Sequence, residues 1–191
     1  MGFTSEQVHW MFGVVIVATG MLLLLRHIAG MKGRWLDYVV PTALAIFGTE
    51  FALDPLVHGE AMPTNYAAEM TQHFIVSVVL LGASAAEFVR LARSGQSFAW
   101  RLPLVAALVV TAGIFALHAQ HGGAPMLLLM TQHRMIAATL AVAALAVLLE
   151  AITKPSAHDR NAPAFPLLTV LLGVQLLVYT EGTGPLGMMT Q

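Results

Sequence analysis

The chain has 191 residues, of which 58% are hydrophobic and only 10% charged, with a formal net charge of −1 and no cysteine. A water-soluble domain carries roughly a quarter charged residues, so most of this chain must face lipid, and the near-neutral balance excludes the basic footprint of nucleic-acid binding. The missing cysteines remove disulfides, thiolate nucleophiles, iron–sulfur clusters and zinc-finger sites, so any metal would be held by His, Met, carboxylates or backbone.

A bilayer core about 30 Å thick requires about 20 mostly apolar residues per helix, and six segments fit: approximately 8–25, 36–56, 69–91, 102–120, 126–152 and 165–180. The runs are continuous rather than alternating, which excludes a barrel. The expected fold is all-α: a polytopic membrane helix bundle with six transmembrane helices, forming a single integral domain over 1–191. The connections are short and rich in Gly, Pro and polar residues, and the first segment lacks the cationic flank of a signal peptide, so it reads as a retained span.

Lys and Arg collect on the cytoplasmic side of membrane proteins. Arg26, Lys32 and Arg34 follow the first span, Arg90, Arg93 and Arg101 the third, and Lys154 and Arg160 the fifth, so that eight of the nine basic residues share one side and only Arg134 lies opposite. Both termini are therefore expected outside, on the periplasmic face of a bacterial inner membrane.

That topology sorts the histidines too. His9, His58, His73, His118, His121 and His133 fall at the outer face, six of the eight, and only His27 and His158 fall inside. Glu50, Asp54, Glu69 and Glu181 join them on the outer side. Glu50 lies eight residues before His58, roughly 12 Å deeper along a helix, where a carboxylate is costly unless paired, protonated or metal-bound. Glu87, near Arg90, and Glu150, four residues before Lys154, read instead as charges at the inner interface or partners in helix pairs. Arg134, directly after His133, is expected to pair with Glu69, Asp54 or Glu181.

An internal two-helix repeat adds to this. His58 and His73 are 15 residues apart, as are His118 and His133, and Met70-Thr71-Gln72-His73 recurs 60 residues later as Met130-Thr131-Gln132-His133. Each copy delivers a histidine from the end of one span and Met-x-x-His from the start of the next, and Met188-Met189-Thr190-Gln191 resembles a third copy lacking its histidine. Imidazole with thioether suits Cu(I), and carboxylate with imidazole suits Zn, Fe or Cu(II). The set points to copper, with His58, His73, His118, His121, His133, Met70 and Met130 as ligands. Glu50 and Glu69 would act as further ligands or as partners that orient the imidazoles.

The Met-x-Gln-His element at the outer start of a helix resembles bacterial polytopic copper-handling membrane proteins, of the oxidase-assembly factor G type and more loosely the copper-resistance D type. The resemblance covers 70–73 and 130–133 and the general hydropathy, and it does not extend to Glu50 or Glu69. It implies copper binding for delivery, transport or redox, with a periplasmic metallochaperone or a larger membrane complex as partner. Three other readings stay open. A b-type haem cytochrome or electron-transfer subunit would use His73 and His133 as axial ligands. An intramembrane zinc hydrolase would use three histidines and a carboxylate base, although no H-E-x-x-H motif is present. An accessory subunit of a larger membrane complex would be compatible with any of these metals.

Overall fold

The computed structural model describes residues 3–31, 33–57, 66–93, 97–117, 126–153 and 163–181, and every element among them is helical. Six α-helices follow in chain order: α1 (Ser5–Ile28), α2 (Val39–Val57), α3 (Tyr66–Ala92), α4 (Leu102–Leu117), α5 (Met126–Thr153) and α6 (Ala164–Leu177). Short 3₁₀ turns, Arg34–Tyr38 and Phe98–Arg101, lead into α2 and α4. Pro41 and Pro103 sit in the first turn of the helices that follow, where a missing N–H costs nothing. A capping box starts α1: Thr4 Oγ1 accepts from the Gln7 N–H at 3.3 Å, and Gln7 Oε1 accepts from the Thr4 N–H at 3.0 Å.

Five of the helical segments are long and apolar enough to cross a membrane. The sixth departs from the sequence reading. The apolar run at 165–180 forms a helix of only 14 residues, about 21 Å long, and the chain leaves helical geometry at Val178. The Tyr179 N–H tightens back onto the Leu176 carbonyl at 3.3 Å, and Thr180 bonds to a side chain of another helix instead of to its own preceding turn.

Each helix packs against its neighbours in sequence, and α6 returns to α1, so the bundle closes into a ring. Three pairs are packed most closely: α1 with α6, α2 with α3, and α4 with α5. Small residues account for this, because lipid offers helices no hydrophobic reason to associate and close backbone approach supplies the attraction. A Cβ on Gly173 would lie 2.6 Å from the Val17 nitrogen and 2.9 Å from the Gly13 carbonyl oxygen, and one on Gly20 would lie 2.7 Å from the Val170 nitrogen. Only glycine admits these approaches of α6 to α1. Between α2 and α3, Ser77 and Ser84 donate to the Gly48 and Pro41 carbonyls at 2.6 and 2.7 Å.

The interior is built from Ile16, Leu104, Leu108, Ile136, Leu140, Ala143, Ala144, Val147 and Leu176. The outward faces carry apolar stripes at helical spacing, for example Phe74, Val78 and Leu81 on α3 and Leu167, Leu171 and Val174 on α6. Apolar stripes on the outward faces are what lipid as solvent requires.

Gly173→Leu should separate α6 from α1 and lower stability by about 3 kcal/mol, the upper end of overpacking costs. Gly82→Ala, where nothing lies within 4 Å of the added atom, should be neutral or stabilising by up to about 1 kcal/mol. Thermal unfolding of both variants in detergent, followed by circular dichroism, checks the pair.

Candidate functional site

α1, α3 and α5 begin at one end of the bundle, and α2, α4 and α6 end there. At this end each close pair of helices contributes one aromatic ring and one histidine. His73 on α3 meets Phe51 on α2 with ring centres 5.4 Å apart. His133 on α5 stacks near Phe115 on α4 at 5.6 Å and 26°. His9 on α1 stacks on Tyr179, just beyond α6, at 3.8 Å and 12°.

Further contacts join the three couples into one cluster. Phe51 meets Phe115 at 6.5 Å, His9 meets His133 edge-on at 6.3 Å, and His133 meets Tyr179 at 5.6 Å and 90°. Phe12 packs on Phe51 and Phe47 from α1.

Two of the histidines are oriented by their own helices. His9 Nδ1 lies 2.8 Å from the Ser5 carbonyl oxygen, and His133 Nδ1 lies 2.9 Å from that of Leu129. A carbonyl only accepts, so in each ring Nδ1 carries the proton and the lone pair of the neutral imidazole is on Nε2. A hydrogen bond from the distal ring nitrogen to a backbone carbonyl is the usual way a ligating histidine is fixed.

The Tyr179 ring is carried into the cluster by a non-helical segment, 178–181, whose polar groups are met from two helices. Gln132 Nε2 donates to the Thr180 carbonyl at 2.8 Å, and the Thr180 N–H donates to Gln132 Oε1 at 3.0 Å. The Trp10 indole donates to the Tyr179 carbonyl at 2.9 Å. Glu6, buried in the first turn of α1, accepts from the Glu181 N–H at 2.6 Å and from the Thr180 hydroxyl at 2.8 Å. The Tyr179 hydroxyl in turn donates to Glu181 Oε1 at 3.2 Å.

Of the residues expected from sequence, His133 is only 3% exposed, and His73, Glu69, Met70 and Met130 are half-buried. Both carboxylate oxygens of Glu50 are buried. His58, His118 and His121 lie outside the described residues, as does the side chain of Asp54. Among the described residues, no three His, Asp or Glu side chains form a group that could hold a metal ion. Arg134 is exposed, and among the described residues no ion pair joins it to Glu69 or Glu181.

Sequence reasoning placed His9 at the same end but left it out of the ligand set, which was drawn from the two-helix repeat that His9 precedes. Its depth, five residues into α1, was the available signal. Phe51 and Phe115 carried no signal, since an aromatic residue in an apolar span is indistinguishable from packing.

The opposite end has a different character. Glu87 is 2% exposed and is the partner of Arg90 in a helix pair, one of the two roles its spacing suggested. Its Oε2 accepts from Arg90 Nε and Nη2 at 2.9 and 2.7 Å, and Arg101 approaches Oε1 at 3.7 Å. Arg26 pairs with Asp37 at 2.7 Å, holding the end of α1 to the turn before α2. No known protein family, curated protein or solved structure matches the chain.

Gln132→Leu removes both partners of the Thr180 peptide, and each orphaned buried group costs about 1–3 kcal/mol. The variant should release the segment after α6 while leaving the helices intact. Faster amide hydrogen exchange at Thr180 and Glu181, with unchanged helical circular dichroism, is the expected result.

Proposed function

We propose that the protein is an integral membrane protein of the bacterial inner membrane that binds copper at its outer, periplasmic end, for delivery to a periplasmic metallochaperone or membrane complex, or for redox use. The observation that carries this reading is the position of the two Met-Thr-Gln-His histidines. His133 is almost fully enclosed, and His73 faces the same aromatic cluster from α3. An imidazole held inside a lipid-facing bundle is expensive unless it serves a purpose. His58, His118 and His121, which follow α2 and α4 in the sequence, would complete the nitrogen donors, with Met70 and Met130 as thioethers. Glu50 and Glu69 would orient imidazoles or add oxygen ligands.

The internal repeat supports the same reading. α3 and α5 start at Tyr66 and Met126, 60 residues apart by number. The threonines of the two elements make the same bond one turn back, Thr71 to the Ala67 carbonyl at 2.8 Å and Thr131 to that of Leu127 at 2.7 Å. Without thiolates, the donors are neutral nitrogen, thioether and carboxylate, a set that binds soft Cu(I) and withstands an oxidising compartment.

Elemental analysis and an optical spectrum of the purified protein test the assignment. Copper should be present, and His73→Ala with His133→Ala should lower its content at least several-fold. A Soret band would instead assign His73 and His133 to haem b, and zinc without copper would overturn the copper reading. Sidedness is tested separately, because the cysteine-free chain accepts single reporters. A membrane-impermeant maleimide added to intact spheroplasts should label Ala124→Cys and spare Ser94→Cys.

A further inference from the structure

We propose that the segment 178–181 is a lid over His133, and that a small cation reaches this part of the bundle from the outer end when the segment lifts. The identity of the ion rests on the copper reading, and the lid does not. His133 is 3% exposed and Tyr179 1%, and the Tyr179 ring stands edge-on to the His133 ring with centres 5.6 Å apart. An ion bound beside His133 therefore enters past a side chain that moves.

The internal symmetry of the ring singles out that side chain. Gly13 and Ser77 lie four residues after His9 and His73, and Gly20 and Ser84 lie eleven residues after them. These equivalent positions meet equivalent partners: Gly13 and Ser77 approach the carbonyls of Gly173 and Gly48, and Gly20 and Ser84 those of Pro166 and Pro41. The pair α6 with α1 is thus built on the plan of α2 with α3, and Tyr179 faces His9 as Phe51 faces His73. One difference stands out. Phe51 and Phe115 ride on the helical backbone of α2 and α4, whereas Tyr179 lies past the end of α6. Moving either phenylalanine requires a membrane-length segment to unwind or shift, but moving Tyr179 requires only four residues.

The segment is also fastened differently from a helix. Trp10 holds the Tyr179 carbonyl, Gln132 holds both sides of the Thr180 peptide, and Glu6 accepts from the Thr180 hydroxyl and the Glu181 N–H. These are side-chain bonds, which break and re-form without disturbing a helix ladder, so the segment belongs to the low-stability end of the molecule from which lids are drawn. Its fasteners come from α1 and α5, the helices that carry His9 and His133. The carboxylates of Glu6 and Glu181 stand at the lid itself, so the entrance favours a cation over an anion.

The test uses single reporters in the full-length, cysteine-free chain in detergent. The reporter His133→Cys is treated with a membrane-impermeant methanethiosulfonate, with the lid intact or loosened by Trp10→Phe together with Gln132→Leu. Loosening should speed labelling roughly tenfold, while Leu140→Cys, buried about two turns deeper on α5, should change by less than about twofold. In chains that keep His133, the same loosening should raise the association and dissociation rates of Cu(I) together and leave Kd nearly unchanged, the signature of a gate. Equal labelling of His133→Cys in both backgrounds would overturn the lid. A parallel acceleration at Leu140→Cys would overturn it in favour of general loosening, and Cu(I) rates that do not respond would overturn the segment as the ion's route. No Cu(I) binding by wild type, with labelling as expected, would overturn the copper reading and leave the lid standing.

Discussion

The peptide groups of 178–181 have left the helix but remain between helices, and the organisation of the histidine-bearing end depends on how they are satisfied. Non-helical backbone at membrane depth is tolerated only where protein supplies the hydrogen bonds that water would otherwise make. Three side chains do so here: Gln132 pairs with the Thr180 peptide as a neighbouring strand would, Trp10 meets the Tyr179 carbonyl, and Glu6 takes the Glu181 N–H. Because α1 and α5 provide these partners, the short α6 is locked between them, and the Tyr179 ring is delivered against His9 and His133. The shortness of α6 is thus the source of the site's shape.

The two ends of the bundle use polarity differently. At one end a buried carboxylate, Glu87, is met by Arg90 at Oε2 and approached by Arg101 at Oε1, and removing a partner from a buried ion pair costs about 3–5 kcal/mol. At the other end the cluster is aromatic and imidazole, and the carboxylate of Glu6 is spent on backbone donors. The close glycine and serine contacts of α1 with α6 and of α2 with α3 hold His9 and His73 at their depths.

Much of the fold was legible in the sequence because lipid imposes a simple rule: long apolar runs become helices, and five of them reach the required length. The end of α6 was not legible. Leu177 through Thr180 reads as a continuation of an apolar helix, and only the distant Gln132 and Trp10 take it out of helical geometry. For Glu87 the i+3 partner Arg90 was visible in the sequence, whereas the approach of Arg101 from the turn before α4 was not. The site was legible in part. The repeated element pointed to His73 and His133, while His9 shares their depth without their motif, so its place beside His133 emerges only when α6 brings α1 round to close the ring.

The central claim is that His9 and His133 meet at one end of the bundle, each with its Nδ1 proton given to a carbonyl of its own helix. Nitrogen-15 NMR of the imidazole side chains tests it most directly, because the two ring nitrogens of each tautomer resonate apart. The account predicts the Nδ1–H tautomer for both histidines in the metal-free protein and a shift of the His133 ring resonances on addition of Cu(I). The Nε2–H tautomer at either residue, or Cu(I) leaving the His133 resonances unmoved, would contradict it.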